Sequence, residues 1–303
     1  MSDVSKKSQA DFGTPAPEWQ IDEDLVRALL RSQHPDLADH EIVLVDEGWD
    51  NVMYRLGENL MIRMPRRELI VSSIVVEQDW LPTIAPSLSI TVPAPVRIGH
   101  PESCYPWPWS IVPWIEGHTA DQGYPGASEA IRFVQFLKEL HQLSDAILPP
   151  GNSRGHSLVH RAGFVAERMA RIQGTGMVTP TITRLWQEAM AAPLTQERRW
   201  IHGDLHGRNV LMKDGVIVGI IDWGDLFIGD VAIDLASIWM LFDDEEARSI
   251  CLREYDVQGE HTITRALGWA VFYGVLLLDS GLVDNPAHAQ MGLDILRRLN
   301  EDA

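Results

Sequence analysis

Apolar and polar positions divide the chain into a strand-rich first third and a helix-rich remainder. Leu25, Val26, Leu29 and Leu30 recur at helical spacing, which predicts a helix over 21–33 with Asp22 as its N-cap. Short apolar runs between turn residues then predict strands, the first three forming an antiparallel meander. The elements predicted after the first helix are strands 42–47, 52–56 and 60–64, a helix over 69–84, and strands 96–99 and 109–112.

From Ser128 onward the apolar spacing is almost entirely helical. The helical pattern is interrupted near residue 214, where Asp-Gly between two apolar runs predicts a β-hairpin of strands 210–213 and 216–221. The predicted helices are 129–143, 157–172, 181–192, 231–242, 245–255, 262–279 and 287–300. This order predicts an α+β protein with a tail over 1–17, a β-rich N-terminal lobe over 18–115 and a mainly helical C-terminal lobe over 116–303.

Composition narrows the class of protein. The 303 residues are 45% hydrophobic and 22% charged, which is typical of a soluble globular protein. The most apolar run, 269–278, is too short to cross a bilayer, and no apolar segment follows the first lysines as in a signal peptide. Two cysteines, Cys104 and Cys251, supply no disulfide framework, so we expect a reducing cytoplasm.

The formal net charge of -18 disfavours a nucleic-acid partner, because the phosphate backbone requires clustered lysines and arginines. The charge is compatible with a cationic small-molecule substrate, although acidic composition also serves solubility alone. We expect no membrane partner, and a monomer or weak dimer.

One stretch combines residues that carry chemistry. Residues 202–209 read His-Gly-Asp-Leu-His-Gly-Arg-Asn, and Asp222 follows the predicted hairpin. An acid five residues before an amide, with a second acid after a hairpin, is the arrangement that phosphoryl transfer requires. Asp204 would accept the proton of the attacking hydroxyl, and Asn209 and Asp222 offer the hard oxygen ligands that suit Mg²⁺. Asp and Asn are also common in ordinary turns, so the indication comes from the combination and not from the spacing alone.

These residues resemble the aminoglycoside phosphotransferase family, including its macrolide phosphotransferase branch. The resemblance rests on H-G-D-L-H-x-x-N at 202–209, I-D-W at 221–223 and G-D-x-x-x-D-L-A at 229–236, and it spans most of the chain. It implies a bilobal protein-kinase-like fold in which Asp234 braces the backbone of the catalytic loop. His202 is interpreted as a residue that orients this loop rather than as a base.

The resemblance also implies nucleotide-binding residues in the N-terminal lobe. Arg63 lies on the strand that usually bears a Lys or Arg pairing with the phosphates, and Glu77 on the following helix would pair with it. A surface arginine and a solvated helix face are the alternatives. Asn51 ends the turn 47–51, where a loop should cover the phosphates. Val112 and Trp114 lie at the lobe boundary, where backbone groups should meet the purine, although Trp more often serves packing.

The expected function is that of an antibiotic kinase, which transfers the γ-phosphate of ATP or GTP, with Mg²⁺, to a hydroxyl of an aminoglycoside-type substrate. The alternatives are a macrolide phosphotransferase, for which the apolar residues 267–278 could line a groove, and a kinase of another small hydroxylated metabolite. A pseudokinase would lack the base or the metal ligands, all of which are present. His156 and His160 lack the glutamate of a zinc motif, and P-loop, Rossmann and hydrolase motifs are absent from the sequence.

Overall fold

The computed structural model describes residues 16–48, 50–144, 157–195, 197–256, 259 and 261–302. Of the expected tail over 1–17, residues 1–15 lie outside the described residues, and residues 16 and 17 are exposed. His156 of the predicted histidine pair also lies outside them.

The described part of the N-terminal lobe is built on a five-stranded antiparallel sheet. Its strands are β1 Ile42–Glu47, β2 Asn51–Leu56, β3 Leu60–Pro65, β4 Arg97–Gly99 and β5 Trp109–Pro113. Their order in the sheet is β1-β2-β3-β5-β4, so the predicted meander of the first three strands is confirmed. The last two strands stand in the sheet in the reverse of their order along the chain, because β5 and not β4 pairs with β3.

Two helices pack with this sheet. Helix α1 spans Glu23–Gln33, and the Asp22 side chain accepts a hydrogen bond from the backbone N–H of Leu25, as the sequence predicts. Its buried leucines form one core with the sheet. Helix α2 spans Val71–Ile84 and buries Glu77 together with its apolar face.

The C-terminal lobe is mainly helical and contains the larger hydrophobic core. Its helices are α3 Ala130–Leu140, α4 Ala162–Arg171, α5 Pro180–Ala191, α6 Ala232–Leu235, α7 Ser237–Leu241, α8 Glu245–Tyr255, α9 Thr262–Asp284 and α10 Pro286–Glu301. Five short strands accompany them: β6 His118–Thr119, β7 Arg199–Ile201, β8 Val210–Lys213, β9 Val216–Ile220 and β10 Phe227–Gly229. The predicted hairpin is confirmed, since β8 and β9 pair antiparallel.

Helix α9 differs from its prediction, because it continues five residues beyond Asp279. By length and composition it could cross a membrane, but 67% of its most apolar stretch is buried against the rest of the protein. This burial is typical of the core helix of a globular protein.

Two further helix predictions needed correction, and three short strands were missed. The helix predicted over 129–143 ends at Leu140, and Leu143 instead forms a β-bridge with Arg199. The helix predicted over 231–242 is divided into α6 and α7. Strands β6, β7 and β10 were not predicted, yet β7 pairs with β10 and leads directly into residues 202–209.

Candidate active site

The loop after β7 places the predicted base beside a predicted metal ligand. The side-chain amide of Asn209 donates to the backbone carbonyl of Asp204 at 2.9 Å and approaches the Asp204 carboxylate at 3.5 Å. Asn209 is buried, whereas Asp204 is partly accessible. Since the amide nitrogen is turned toward Asp204, the amide oxygen of Asn209 remains as the atom that could hold a cation.

The backbone of this loop is fixed by Asp234, as the resemblance implied. The two oxygens of this fully buried carboxylate accept from the N–H of His202 at 2.7 Å and from the N–H of Gly203 at 2.8 Å. Gly203 has a φ of 87°, in the region that glycine adopts without strain. The hydroxyl of Tyr273 on α9 donates to the Gly203 carbonyl at 2.6 Å, so the peptide preceding Asp204 is held from both sides.

A second group behind the loop was not predicted from the sequence. His141 Nε2 lies 3.1 Å from the Asp234 carboxylate, and its Nδ1 lies 2.7 Å from the hydroxyl of Tyr255. An ionised carboxylate only accepts, so Nε2 carries the proton that is donated to Asp234. Burial raises the pKa of Tyr255, so its hydroxyl stays protonated beside the His141 ring. The imidazole thus connects the end of α3 and helix α8 to Asp234 and the loop 202–209.

The ring of His202 links the loop to the segment before Asp222. Its Nε2 lies 3.0 Å from the carbonyl of Ile221, and its Nδ1 accepts from the N–H of Asp204 at 3.2 Å. Both ring nitrogens are engaged with backbone groups, which supports the interpretation of His202 as an orienting residue. His206, in contrast, places Nε2 3.5 Å from the Asp204 carboxylate.

The second predicted metal ligand faces the N-terminal lobe. Asp222 follows β9 with a left-handed φ of 61°, and its side chain is 58% exposed. One of its oxygens lies 3.6 Å from the guanidinium of Arg63. The same guanidinium pairs with Glu77 at 2.5 Å, and Arg63 and Glu77 are both buried. The solvated positions considered for these two residues are therefore excluded.

The turn 47–51, which was expected to cover the phosphates, contains one residue, Trp49, outside the described residues. Arg67 pairs with the Asp50 carboxylate at 2.8 Å, and Arg66 donates to the Gly48 carbonyl at 2.5 Å. Burial raises the pKa of Asp50, the hydrogen bond from Arg67 opposes this rise, and the Asp222 charge adds to it. Asn51 is buried at the start of β2, opposite Pro65 of β3.

The lobe boundary shows which backbone donors are already engaged. Val112 is fully buried in β5, opposite Met61. The backbone N–H of Trp114 donates to the carbonyl of Asn59 at 2.8 Å, and its indole N–H donates to Glu116 at 2.8 Å. Proline 113 has no N–H, so the next residue that could offer a backbone donor to a purine is Ile115.

The two candidate metal ligands suit a magnesium ion that is also bound by a phosphate ligand. Asn209 and Asp222 supply two hard oxygens, and Mg²⁺ usually keeps water and phosphate oxygens besides one or two protein ligands. Within the residues that the structure describes, no group of three or more His, Cys, Asp or Glu could hold a metal by itself. Any bound magnesium would therefore depend on nucleotide phosphates and water to complete its shell.

Comparison with known proteins is consistent with this geometry. The family model described as "Phosphotransferase enzyme family" matches residues 41–267. The structure of aminoglycoside 2'-phosphotransferase-IIIa with GDP is similar at a TM-score of 0.66 and 19% identity, covering 93% of this chain and 100% of that one.

Two further solved structures are similar. Macrolide 2'-phosphotransferase MphH from Brachybacterium faecium matches at a TM-score of 0.58 and 18% identity, covering 90% of this chain and 98% of that one. The ternary complex of streptomycin, ATP and APH(2'')-IIa matches at 0.55 and 18%, covering 92% and 97%. At these identities the structural matches establish a shared fold.

Proposed function

Since the chain belongs to the phosphotransferase enzyme family, we propose that it transfers the γ-phosphate of a nucleoside triphosphate to a hydroxyl of a small antibiotic, with Asp204 as general base. The observation that carries the proposal is a pair of contacts among the predicted site residues, one within the loop after β7 and one between the two lobes. Asn209 is hydrogen-bonded to Asp204, and Asp222, after the hairpin, lies beside Arg63 of β3. Phosphoryl transfer depends mainly on such positioning and on charge.

The proposed roles follow from these contacts. Arg63 lies between Glu77 and Asp222, where its second amino group can bind a phosphate oxygen while the first remains paired with Glu77. Magnesium held by Asn209 and Asp222 would neutralise charge on the transferred phosphate. Asp204 would hydrogen-bond the acceptor hydroxyl and take its proton as the oxygen attacks phosphorus.

The donor proposed is a nucleoside triphosphate, without a choice between ATP and GTP. Solved structures of this fold include one with GDP and one with ATP and streptomycin. The lobe boundary is compatible with a purine that meets backbone groups beyond Pro113, as described above.

The acceptor proposed is a cationic antibiotic of the aminoglycoside type. Asp121 lies against Gly207 of the loop 202–209. Burial lowers the pKa of His288 on α10, which contacts Arg208 of that loop, and the charges of Asp121 and Asp284 oppose this lowering. Asp279, in contrast, is paired with Arg168 and Arg171, so its charge is already neutralised.

The alternative acceptor, a macrolide, receives less support. Of the apolar residues of α9 that could line a groove, Trp269, Val271 and Phe272 are buried in the core.

Both described cysteines are free thiols, which agrees with the proposed cytoplasmic location.

The test is the substitution Asp204→Asn, which keeps the shape of the side chain and removes its basicity. We expect kcat to fall by about 10²–10⁴-fold, the usual contribution of general-base catalysis. Nucleotide affinity should change less than about twofold, because the proposed phosphate contact belongs to Arg63 and the proposed metal contacts to Asn209 and Asp222. Steady-state kinetics and calorimetric binding of the nucleotide would separate the two effects.

Asp214→Asn is the matched control, since Asp214 is an exposed residue of the hairpin turn with a φ of 52° that asparagine tolerates. It should leave kcat unchanged. A fully active Asp204→Asn enzyme would contradict the proposed base.

A further inference from the structure

Glu77 has one carboxylate oxygen that its ion pair does not use. Oε2 binds Arg63 at 2.5 Å, but Oε1 is buried and has no hydrogen-bond partner among the described residues. Glu77 as a whole is 2% exposed. A carboxylate oxygen that is buried without a hydrogen-bond donor costs free energy comparable to a lost hydrogen bond or more, so a ligand that donates a hydrogen bond would be stabilised there.

A small space adjoins this oxygen. A methyl group built on Gly224 would lie 3.6 Å from Glu77 Oε1, 3.7 Å from Asp222 Oδ1 and 3.7 Å from the Cβ of Ser73. These are ordinary contact distances, so the space can accept an additional heavy atom without any displacement of its neighbours. Two carboxylate oxygens, Glu77 Oε1 and Asp222 Oδ1, border this space. Among the described residues, none donates a hydrogen bond to Glu77 Oε1.

A water molecule that is bound to a cation suits such a space. Water on Mg²⁺ is a strong hydrogen-bond donor, and Mg²⁺ retains several waters when one or two carboxylates bind it. Asp222 is a proposed magnesium ligand and borders the same space as Glu77. An outer carboxylate that accepts from metal-bound water is a common way in which proteins strengthen a metal site.

We propose that Glu77 is a positioning residue for magnesium, whose Oε1 accepts a hydrogen bond from a water of the ion held by Asn209 and Asp222. This inference rests on the proposed kinase function and adds a second role to Glu77 besides its pairing with Arg63. The two roles belong to different oxygens of one carboxylate. The ion pair of Oε2 with Arg63 should affect phosphate binding whether or not metal is present, whereas the Oε1 contact should affect only the binding of the metal.

Two substitutions test the proposal by different means. Glu77→Gln removes the charge that attracts the metal-bound water, and Gly224→Ala places a methyl group in the space where that water would lie. The alanine leaves the contact between Glu77 and Arg63 intact. Asp79→Asn is the matched control, because it removes one charge from the exposed side of the same helix.

The measurement is the affinity for ADP with and without Mg²⁺, together with Mn²⁺ binding to the ADP complex by electron paramagnetic resonance. Substitutions of such supporting residues weaken metal binding by about 10–100-fold, so we expect this loss in both variants. Metal-free ADP affinity of Gly224→Ala should stay within about twofold of the wild-type value, since ordinary contacts cost little. Asp79→Asn should match the wild type.

Equal losses with and without metal would show that Glu77 acts only through Arg63, and would overturn the proposal. Unchanged Mn²⁺ binding in both variants would overturn it as well, while leaving the kinase function intact. Wild-type protein that bound no nucleotide would overturn the proposed function and this inference together.

Discussion

The peptide between His202 and Asp204 is held by two side chains that come from distant parts of the sequence. The Asp234 carboxylate accepts hydrogen bonds from the N–H groups of His202 and Gly203, and the Tyr273 hydroxyl donates to the Gly203 carbonyl. Tyr273→Phe would remove one buried donor without changing the packing shape. We expect a loss of about 1–2 kcal/mol in the free energy of unfolding, and a severalfold lower kcat, because the residue before the base is less well fixed. Urea denaturation and steady-state kinetics would measure these effects.

Tyr54→Phe is a control for this prediction. Tyr54 is also buried and donates its hydroxyl to a backbone carbonyl, that of Ile21, but it lies in the sheet of the N-terminal lobe. It should lower the stability by a comparable amount and leave kcat unchanged. Similar losses of kcat in both variants would show that Tyr273 acts through general stability only.

The sequence predicted some of these residues and not others, for a physical reason. Asp204, Asn209 and Asp222 are recognisable because their chemistry depends on spacing within a loop and a hairpin. His141, Tyr255 and Tyr273 support that loop through hydrogen bonds that span 93, 114 and 70 positions, respectively. No local sequence pattern encodes such pairing, so the role of these residues becomes visible only in the folded structure.

Helices and strands also divide into those encoded by a local sequence pattern and those that depend on tertiary contacts. Strands β1 and β8, and helix α8, agree with their predicted bounds because apolar period and turn residues coincide at both ends. Strands β7 and β10 have three residues each, too few for an alternating pattern to be visible. The end of α3 was misplaced because Leu143 pairs with Arg199, a tertiary contact that overrides the continuing helical period.

Helices α9 and α10 pack so closely that glycines at their interface have no room for a side chain. A Cβ at Gly292 of α10 would lie 2.3 Å from the backbone nitrogen of Leu278 on α9. Backbone cannot move aside as a flexible side chain can, so Gly292→Ala would separate the two helices. We expect a loss of about 1–3 kcal/mol in the free energy of unfolding, the usual cost of overpacking, measured by urea denaturation.

This pair of helices also contacts the catalytic loop, through Tyr273 of α9 and through His288 of α10, whose Nε2 accepts from Arg208 at 3.0 Å. Gly292→Ala should therefore lower kcat besides stability. Gly163→Ala in α4 is the control, because a Cβ there meets nothing within 4 Å and alanine favours a helix. Equal stability of the two variants would contradict the close-packing argument.

For the whole chain, the order of strand-rich and helix-rich segments was sufficient to predict a sheet in the N-terminal part and a mainly helical C-terminal part. The acceptor could not be predicted in the same way, since no spacing within one segment encodes a surface that several helices and loops form together. The placement of charge is one argument for the cationic acceptor proposed above. Asp279 is paired, whereas Asp121 and Asp284 lie near the catalytic loop in a chain of net charge -18.

A negative protein should attract a polycationic acceptor over distances that salt can screen. The Debye length falls from about 10 Å at 0.1 M salt to about 3 Å at 1 M, so long-range attraction is largely lost over this range. At saturating magnesium nucleotide, we expect kcat/KM for kanamycin to fall about tenfold between 0.05 and 0.5 M sodium chloride, with kcat nearly constant. A macrolide with a single amine is the matched acceptor and should respond much less. Salt responses of equal size for the two acceptors would contradict the electrostatic argument, and turnover of the macrolide alone would favour that class of substrate.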